Sequence, residues 1–176
     1  MDGIIRTPRL TLRALTLEDA EPTSRIMTPA VARWTGSWKG EETPQEIAGR
    51  IRLYLDTEER GFGLNRAAVI TATGELIGWI GVRRYDERPH LGALGYWIGE
   101  PFFGQGYTRE AVRALTPVAF DALGVETIEA AAQVANTASL AILRGLGMRH
   151  MGRRQEYSTA RGASDLCDWF ELDRPA

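Results

Sequence analysis

The sequence is poor in the side chains that most often mark a disulfide, a metal site or a polycationic surface. Its 176 residues include one cysteine, two histidines and a single lysine, Lys39. One cysteine excludes an internal disulfide and favours a reducing compartment. Because the sequence places no histidine next to Cys167, we expect a packed thiol there rather than a nucleophile.

Long apolar runs are also missing. The longest, such as residues 76–82, are far too short to cross a bilayer, and the first residues lack the apolar core of a signal peptide. A formal net charge of -2 argues against strong nonspecific binding of nucleic acid. These absences predict a cytoplasmic protein with no membrane or nucleic-acid partner.

The composition is that of a globular protein, with 44% hydrophobic and 25% charged residues. Such a length is sufficient for one domain with a proper core, and it requires neither a disulfide nor a metal. We therefore predict a single domain over residues 1–176 and no bound metal.

A strand, a glycine turn and a helix organise the chain. Residues 91–98 form an apolar run typical of a buried strand, and apolar residues recur at helical spacing over 111–123. Between them, Gly104 and Gly106 remove side chains where the backbone turns, so the first amides of the helix point outward without internal partners. Together with the helix dipole they favour an anion such as pyrophosphate. A plain connection in an ordinary α/β protein would carry the same glycines.

Two nucleotide motifs are excluded at this turn. A Walker loop requires lysine and then serine or threonine after its last glycine, whereas Tyr107 and Thr108 follow Gly106. A dinucleotide fingerprint requires a third glycine where Arg109 stands. A nucleotide-binding α/β domain is accordingly the weaker interpretation.

The periodicity of the whole chain predicts seven strands and four helices. The strands are expected at residues 9–15, 63–71, 75–85, 91–98, 125–134, 148–159 and 166–172. The helices are expected at residues 18–28, 43–59, 108–123 and 136–147, with a kink at Pro117 in the third. Residues 29–42 have no clear period, and Trp34 and Trp38 within them either line a pocket or cap the edge of the core.

Several segments carry a resemblance when taken in order. They are Thr-Pro-Arg-Leu-Thr-Leu-Arg at 7–13, Gly-Tyr-Trp-Ile at 95–98, Phe-Gly-Gln-Gly-Tyr at 103–107, Asn-Thr-Ala-Ser at 136–139 and Leu-Arg-Gly-Leu-Gly-Met at 143–148. Over essentially its whole length the chain resembles the GNAT acetyltransferase superfamily, especially the RimJ/RimL-like branch. The resemblance implies an α/β (α+β) fold: a mixed, mostly antiparallel twisted sheet of about seven strands, helices on both faces, and a splay between the two central strands.

The resemblance further implies acetyl-CoA as the acyl donor, with pantetheine in the splay and its pyrophosphate on the amides after Gly104. The implied donor-binding residues are Trp97, Ile98, Phe103, Gly104, Gln105, Gly106, Tyr107, Thr108, Arg109, Asn136, Ser139 and Arg144. Amide donors near Ile98 would polarise the thioester carbonyl. Each assignment has a structural alternative, since Asn136 also suits a helix N-cap and Ser139, Arg109 and Arg144 also suit a solvated helix surface.

The resemblance implies direct attack of a neutral amine on the thioester. Ser139 is our candidate acid for the departing thiolate, because Leu143 stands where many relatives have a tyrosine. The base is not found, since Ala93, Leu94 and Met151 stand where relatives offer carboxylates and strand alternation turns His150 away. We predict that Trp34, Tyr85 and His90 line the acceptor pocket.

Amine basicity separates the candidate acceptors. An α-amine of pKa about 8 is roughly a tenth neutral near pH 7, whereas a lysine amine near 10.4 is less than about 0.1% neutral. We therefore predict an α-amine acceptor, on a protein N-terminus or a small molecule, and a monomer or homodimer. The alternative is a noncatalytic acyl-CoA-binding or regulatory protein.

Overall fold

A computed structural model describes residues 3–175, so residues 1, 2 and 176 of the predicted domain lie outside the described range. The strands are β1 (Ile5–Arg6), β2 (Leu10–Ala14), β3 (Gly63–Ile70), β4 (Leu76–Arg84), β5 (Leu91–Ile98), β6 (Thr127–Gln133), β7 (Arg149–Ser158) and β8 (Ala163–Asp173). The α-helices are α1 (Ala20–Ile26), α2 (Pro29–Ala32), α3 (Pro44–Glu59), α4 (Tyr107–Leu123) and α5 (Thr137–Gly145). The strands form one sheet in the order β1-β2-β3-β4-β5-β6-β8-β7.

The sheet parts at its centre, between β5 and β6. These two strands pair in parallel at three positions, the last being Ala93 with Glu129. Beyond that pair, β5 continues along β4 to Ile98, and β6 continues along β8 to Gln133. Both strands therefore run on while the ladder between them stops, which is the predicted splay.

Helices cover both faces of the sheet, as predicted. On one face, α4 and α5 pack on the larger apolar cluster, which includes Leu115, Phe120, Leu143 and Phe170. On the other face, α1, α2 and α3 pack on a second cluster built around Trp38, Trp79 and Trp97. The ring centroids of these three tryptophans lie 5.2, 5.5 and 5.8 Å apart. Full burial of a large side chain contributes about 1.5–3 kcal/mol, so each cluster fixes its helices firmly on the sheet.

Local sequence signals account for where the helices start. The Thr43 hydroxyl accepts from the Glu46 amide and the Glu46 carboxylate accepts from the Thr43 amide, which forms the capping box that begins α3. The Asn136 side chain accepts from the Ser139 amide and caps α5. Helix α4 starts directly after Gly106, whose φ of 81° is in the left-handed region.

The structure departs from the predicted elements in several places. An extra two-residue strand, β1, brings the sheet to eight strands, and the short helix α2 begins at Pro29 inside the predicted loop. The predicted first helix is a 3₁₀ turn at Leu17–Asp19 followed by α1. Pro117 lies inside the continuous span of α4, and the kink there stays a prediction. Within residues 3–175, no helix combines the length and apolarity needed to cross a membrane.

Candidate active site

A cavity of about 1570 Å³ passes through the splay. From the α4 and α5 face it is lined by Tyr107 and Ser139, and from the opposite face by Trp34 and Tyr85. Side chains on opposite faces of a continuous ladder cannot share a cavity. The opening between β5 and β6 therefore connects two half-sites, one on each face.

The first half-site is a set of unpaired backbone donors at the start of α4. Over the described residues, none of the amides of residues 105–109 donates to another backbone or side-chain group. Gly104 and Gly106, with φ of 73° and 81°, turn the chain so that these amides sit at the positive end of a helix of 17 residues. This geometry fits a pyrophosphate.

The start of β2 anchors this turn from outside. The Glu110 carboxylate accepts from the Thr7 hydroxyl at 2.6 Å, the Arg9 amide at 2.8 Å and the Arg9 Nε at 2.7 Å. Arg9 also donates to the Gln105 carbonyl and lies over the Tyr107 ring. Burial raises the pKa of Glu110, but the bonds from Thr7 and Arg9 outweigh it and hold that pKa below its ordinary value. The 7–13 segment thus supports the glycine turn, a role that its position in the sequence did not reveal.

A tyrosine and a serine meet beside the splay on the α5 side. The Tyr96 hydroxyl and Ser139 Oγ lie 2.7 Å apart, within hydrogen-bonding distance, and both residues line the cavity. Burial raises the pKa of Tyr96 to about 12, although the bond with Ser139 opposes the shift. The phenol therefore remains protonated at neutral pH. Sequence reasoning looked for a tyrosine at position 143, where a buried core leucine stands, and missed the one that β5 supplies.

The second half-site lies on the other face and contains a buried carboxylate. Tyr85, just after β4, lines the cavity and donates from its hydroxyl to Glu129 Oε1 at 2.6 Å. Arg88 lies over the Tyr85 ring, and its guanidinium is 3.7 Å from the same carboxylate oxygen. Burial, followed by the bond to Glu129, raises the pKa of Tyr85 to about 12. Glu129, which is 4% exposed, was not identified from the sequence.

Most of the predicted site residues border the cavity. They are Trp34, Tyr85, Trp97, Ile98, Phe103, Gly104, Gly106, Tyr107, Thr108, Arg109, Asn136 and Ser139. Gln105, His90 and Arg144 are not part of its lining. His90 is exposed, and its carbonyl accepts from the amides of Glu126 and Thr127, while Arg144 is exposed on α5.

The two tryptophans of residues 29–42 were expected either to line a pocket or to cap the edge of the core, and the structure shows one of each kind. Trp34 is partly exposed and borders the cavity with Arg33 over its ring. Trp38 is 4% exposed and belongs to the apolar cluster around Trp38, Trp79 and Trp97, called the tryptophan core below. It also contributes to the cavity lining. Cys167 is buried, and burial raises the pKa of its thiol to about 11, so little thiolate exists at neutral pH.

Unpaired backbone donors on one face, connected through a parted sheet to a half-site on the other face, are the arrangement that the resemblance to GNAT acetyltransferases implies. The family model described as an acetyltransferase (GNAT) domain matches residues 9–149. The chain therefore belongs to the GNAT family, and it is an acetyl-CoA-dependent N-acetyltransferase.

Named proteins that are similar to this chain agree with this assignment. An uncharacterised N-acetyltransferase of Bacillus licheniformis, p20, is 29% identical over 89% of this chain and 88% of its own length. A solved structure of RimL, a ribosomal L7/L12 alpha-N-protein acetyltransferase in complex with coenzyme A, has a TM-score of 0.82 at 17% identity and covers 97% of this chain and 98% of that one. Mycobacterium smegmatis RimJ, in complex with a CoA-disulfide, has a TM-score of 0.83 at 21% identity over 97% of this chain and 86% of that one.

Proposed function

We propose that this enzyme acetylates a primary α-amine, carried by a protein N-terminus or by a small molecule. One observation carries the proposal: a single cavity joins the unpaired amides at the start of α4 to an acceptor face across the splay. An acyl donor held at those amides reaches the acceptor on the opposite face through the opening between β5 and β6. Direct transfer to an amine on the far face then needs no covalent enzyme intermediate.

The roles of the donor-side residues follow from their positions. When bound, acetyl-CoA supplies the activated acetyl thioester. The amides of residues 105–109 hold its pyrophosphate, and the free edge of β5 at Trp97 and Ile98 binds pantetheine and polarises the thioester carbonyl. The hydrogen-bonded Tyr96 and Ser139 donate a proton to the departing thiolate.

The charge of the cavity wall supports an α-amine over a polyamine or a lysine-rich segment. Its lining contains six arginines, Arg50, Arg60, Arg83, Arg84, Arg88 and Arg109, against two carboxylates, Asp86 and Glu87. Asp56 and Glu129 lie beside Arg60 and Arg88, and the positive excess that remains disfavours an acceptor with several positive charges only weakly. An α-amine is also neutral in a far larger fraction near pH 7. The RimL described above acts on a protein α-amine, which is the same acceptor chemistry.

A panel of matched acceptors tests the proposal. Thiol release from acetyl-CoA is followed with a lysine-free peptide bearing a free N-terminus, a blocked peptide with one lysine, and spermidine. We expect kcat/KM to be about tenfold or more higher for the free N-terminus, given the neutral fractions of the two amine classes. Faster acetylation of lysine or spermidine contradicts the α-amine assignment. Calorimetric binding of acetyl-CoA without turnover on any amine contradicts catalysis.

A further inference from the structure

Glu129 stands at the vertex of the splay. Its backbone makes the last parallel pair with Ala93, so the cavity opens from this point onward along β5 and β6. Strand alternation places Ile128 and Ala130 in the core under α4, which turns the Glu129 side chain to the acceptor face. A carboxylate that is 4% exposed is costly to bury without partners, so a specific role has to be sought.

The groups around this carboxylate come from three elements. Tyr85 and Arg88, from the connection between β4 and β5, both reach Oε1, which leaves Oε2 bonded to neither. Arg83, near the end of β4, also lies over the Tyr85 ring, with its guanidinium carbon 5.8 Å from the ring centroid. Across the ladder on β8, Glu171 faces Glu129, but it pairs with Arg149 of β7. Glu129 itself is not part of the cavity lining, whereas Tyr85 and Arg88 are, so these two side chains connect the cavity to the carboxylate.

We infer that Tyr85 and Glu129 together accept the proton of the incoming amine, an inference that rests on the proposed function. Tyr85 is the catalytic residue, because its hydroxyl borders the cavity and meets the amine. Glu129 is a positioning residue that orients the phenol and takes up its proton. The Arg88 guanidinium, 3.7 Å from Oε1, places a positive charge beside this carboxylate.

The step balances in atoms and electrons. The amine nitrogen bonds to the acetyl carbon while the carbon–sulfur bond breaks and its electron pair leaves on sulfur. Tyr85 Oη takes the proton from nitrogen as the phenol proton passes to Glu129 Oε1, and Tyr96 and Ser139 supply the proton that sulfur receives. Afterwards water removes the proton from Glu129 and returns one to the Tyr96–Ser139 pair, which restores both groups for the next turnover. Because burial and the bond to Glu129 raise the pKa of Tyr85 to about 12, the phenol relays the proton rather than ionising by itself.

The positions at which the sequence suggested a base do not supply one on the acceptor face. Ala93 and Met151 carry no titratable group, although each stands at a position where a carboxylate was sought. His150 is 3.1 Å from Asp168 and packs on Phe170 in the α5-side core, away from the acceptor face. Tyr85 with Glu129 is therefore the acceptor-face pair that combines a hydroxyl at the cavity with a carboxylate behind it.

The test compares Tyr85→Phe and Glu129→Gln with Glu126→Gln, an exposed glutamate just before β6, in the full chain. Acetyl transfer to a peptide α-amine is measured by thiol release from about pH 7 to about pH 9, and CoA binding by calorimetry. We expect Tyr85→Phe and Glu129→Gln each to lower kcat about a hundredfold at neutral pH, with KM for acetyl-CoA changed less than about twofold. Because hydroxide replaces the lost acceptor, the deficit shrinks as pH rises. Glu126→Gln keeps the wild-type rate.

The outcomes separate this inference from the proposed function. If the wild type transfers acetyl to an α-amine and both variants stay within about twofold of it, the inference fails alone. A deficit that is the same at every pH, or one explained by lost CoA binding or an altered melting temperature, also contradicts a proton-transfer role. If the wild type transfers acetyl to no α-amine, the proposed function fails first. Partial recovery in Glu129→Asp further supports a carboxylate role.

Discussion

At the scale of single residues, Tyr96 and Ser139, the proposed proton donors to the leaving thiolate, share one hydrogen bond. The two side chains come from positions 43 residues apart, and burial keeps the phenol protonated with a pKa of about 12. A hydroxyl pair of this kind can pass a proton to sulfur from either member. If the pair acts as one donor, the two residues are expected to contribute to the rate in a coupled way.

Coupling gives a prediction for the single and double variants. We expect Tyr96→Phe and Ser139→Ala each to lower kcat about tenfold, because a thiolate of pKa near 8.5 needs only modest help to leave. The double variant is expected to lose little more than either single variant, since both remove the same hydrogen bond. The measurement is single-turnover thiol release, with Tyr157→Phe, an exposed tyrosine, as the control. Multiplicative losses in the double variant would show that the two hydroxyls act independently.

Single residues also show where sequence reasoning reached its limit. Ser139 and Tyr96 both lie in motifs that the sequence analysis quotes, but the pairing of Tyr96 with Ser139, like that of Glu129 with Tyr85, joins positions 43 and 44 residues apart. One signal for Glu129 was present: residues 127–132 read Thr-Ile-Glu-Ala-Ala-Ala, a charged residue inside an otherwise apolar buried strand. The burial of Glu129 indicates a specific role only in the structure, where the Tyr85 hydroxyl lies against its carboxylate.

At the scale of elements, the glycine turn before α4 combines a backbone requirement with a binding role. Gly106 has φ 81°, and a Cβ there would meet Arg9 Nη2 at 3.5 Å. Gly74, in the turn between β3 and β4, has a similar φ of 74° but open space around it. Alanine substitutions at both positions add the same backbone strain, but only the one at Gly106 lies beside the unpaired amides of residues 105–109. Comparing the two variants therefore distinguishes strain from an effect on binding.

We predict that Gly106→Ala and Gly74→Ala each lower the free energy of unfolding by about 1–2 kcal/mol, the cost of a left-handed conformation in a residue with a Cβ. Only Gly106→Ala is expected to raise KM for acetyl-CoA, by about fivefold or more, because it adds a methyl group beside the amides proposed to bind the pyrophosphate. Denaturant unfolding and steady-state kinetics measure both effects. An unchanged KM in Gly106→Ala would contradict a binding role for this turn.

Elements were predicted well where capping and periodicity agree, and less well where contacts beyond the segment decide. The helices at α3 and α5 follow from Thr43 and Asn136, whose side chains cap them directly. By contrast, β1 exists only because Ile5 and Arg6 pair with Leu12 and Thr11 of β2. A segment of two residues is too short to show an alternating pattern, so the sequence alone does not predict this strand.

At the scale of the whole molecule, the sheet consists of two groups of strands joined by a short parallel ladder. Strands β1 to β5 come from the first part of the chain, β6 to β8 from the last, and three residue pairs connect them directly. A donor bound in the splay would contact both groups at once. Binding should therefore stabilise the protein as a unit.

We predict that CoA at about a hundred times its Kd raises the free energy of unfolding by about 2.7 kcal/mol. In hydrogen exchange, amides of residues 94–98 that face β6 are expected to slow when CoA binds, because that stretch of β5 lacks a ladder partner on β6. Amides of β2, which pair fully with β3, serve as the internal control. Slowing confined to β2, with none at β5, would contradict binding in the splay.

The tryptophan core provides the enzyme with a built-in optical reporter. Trp97 belongs to a group of indole rings separated by less than the width of one helix, and it also borders the cleft. Excitation absorbed by Trp38 or Trp79 can migrate to it at such separations. We therefore expect intrinsic emission to change when a ligand fills the cavity, which would allow ligand titrations on the unlabelled chain.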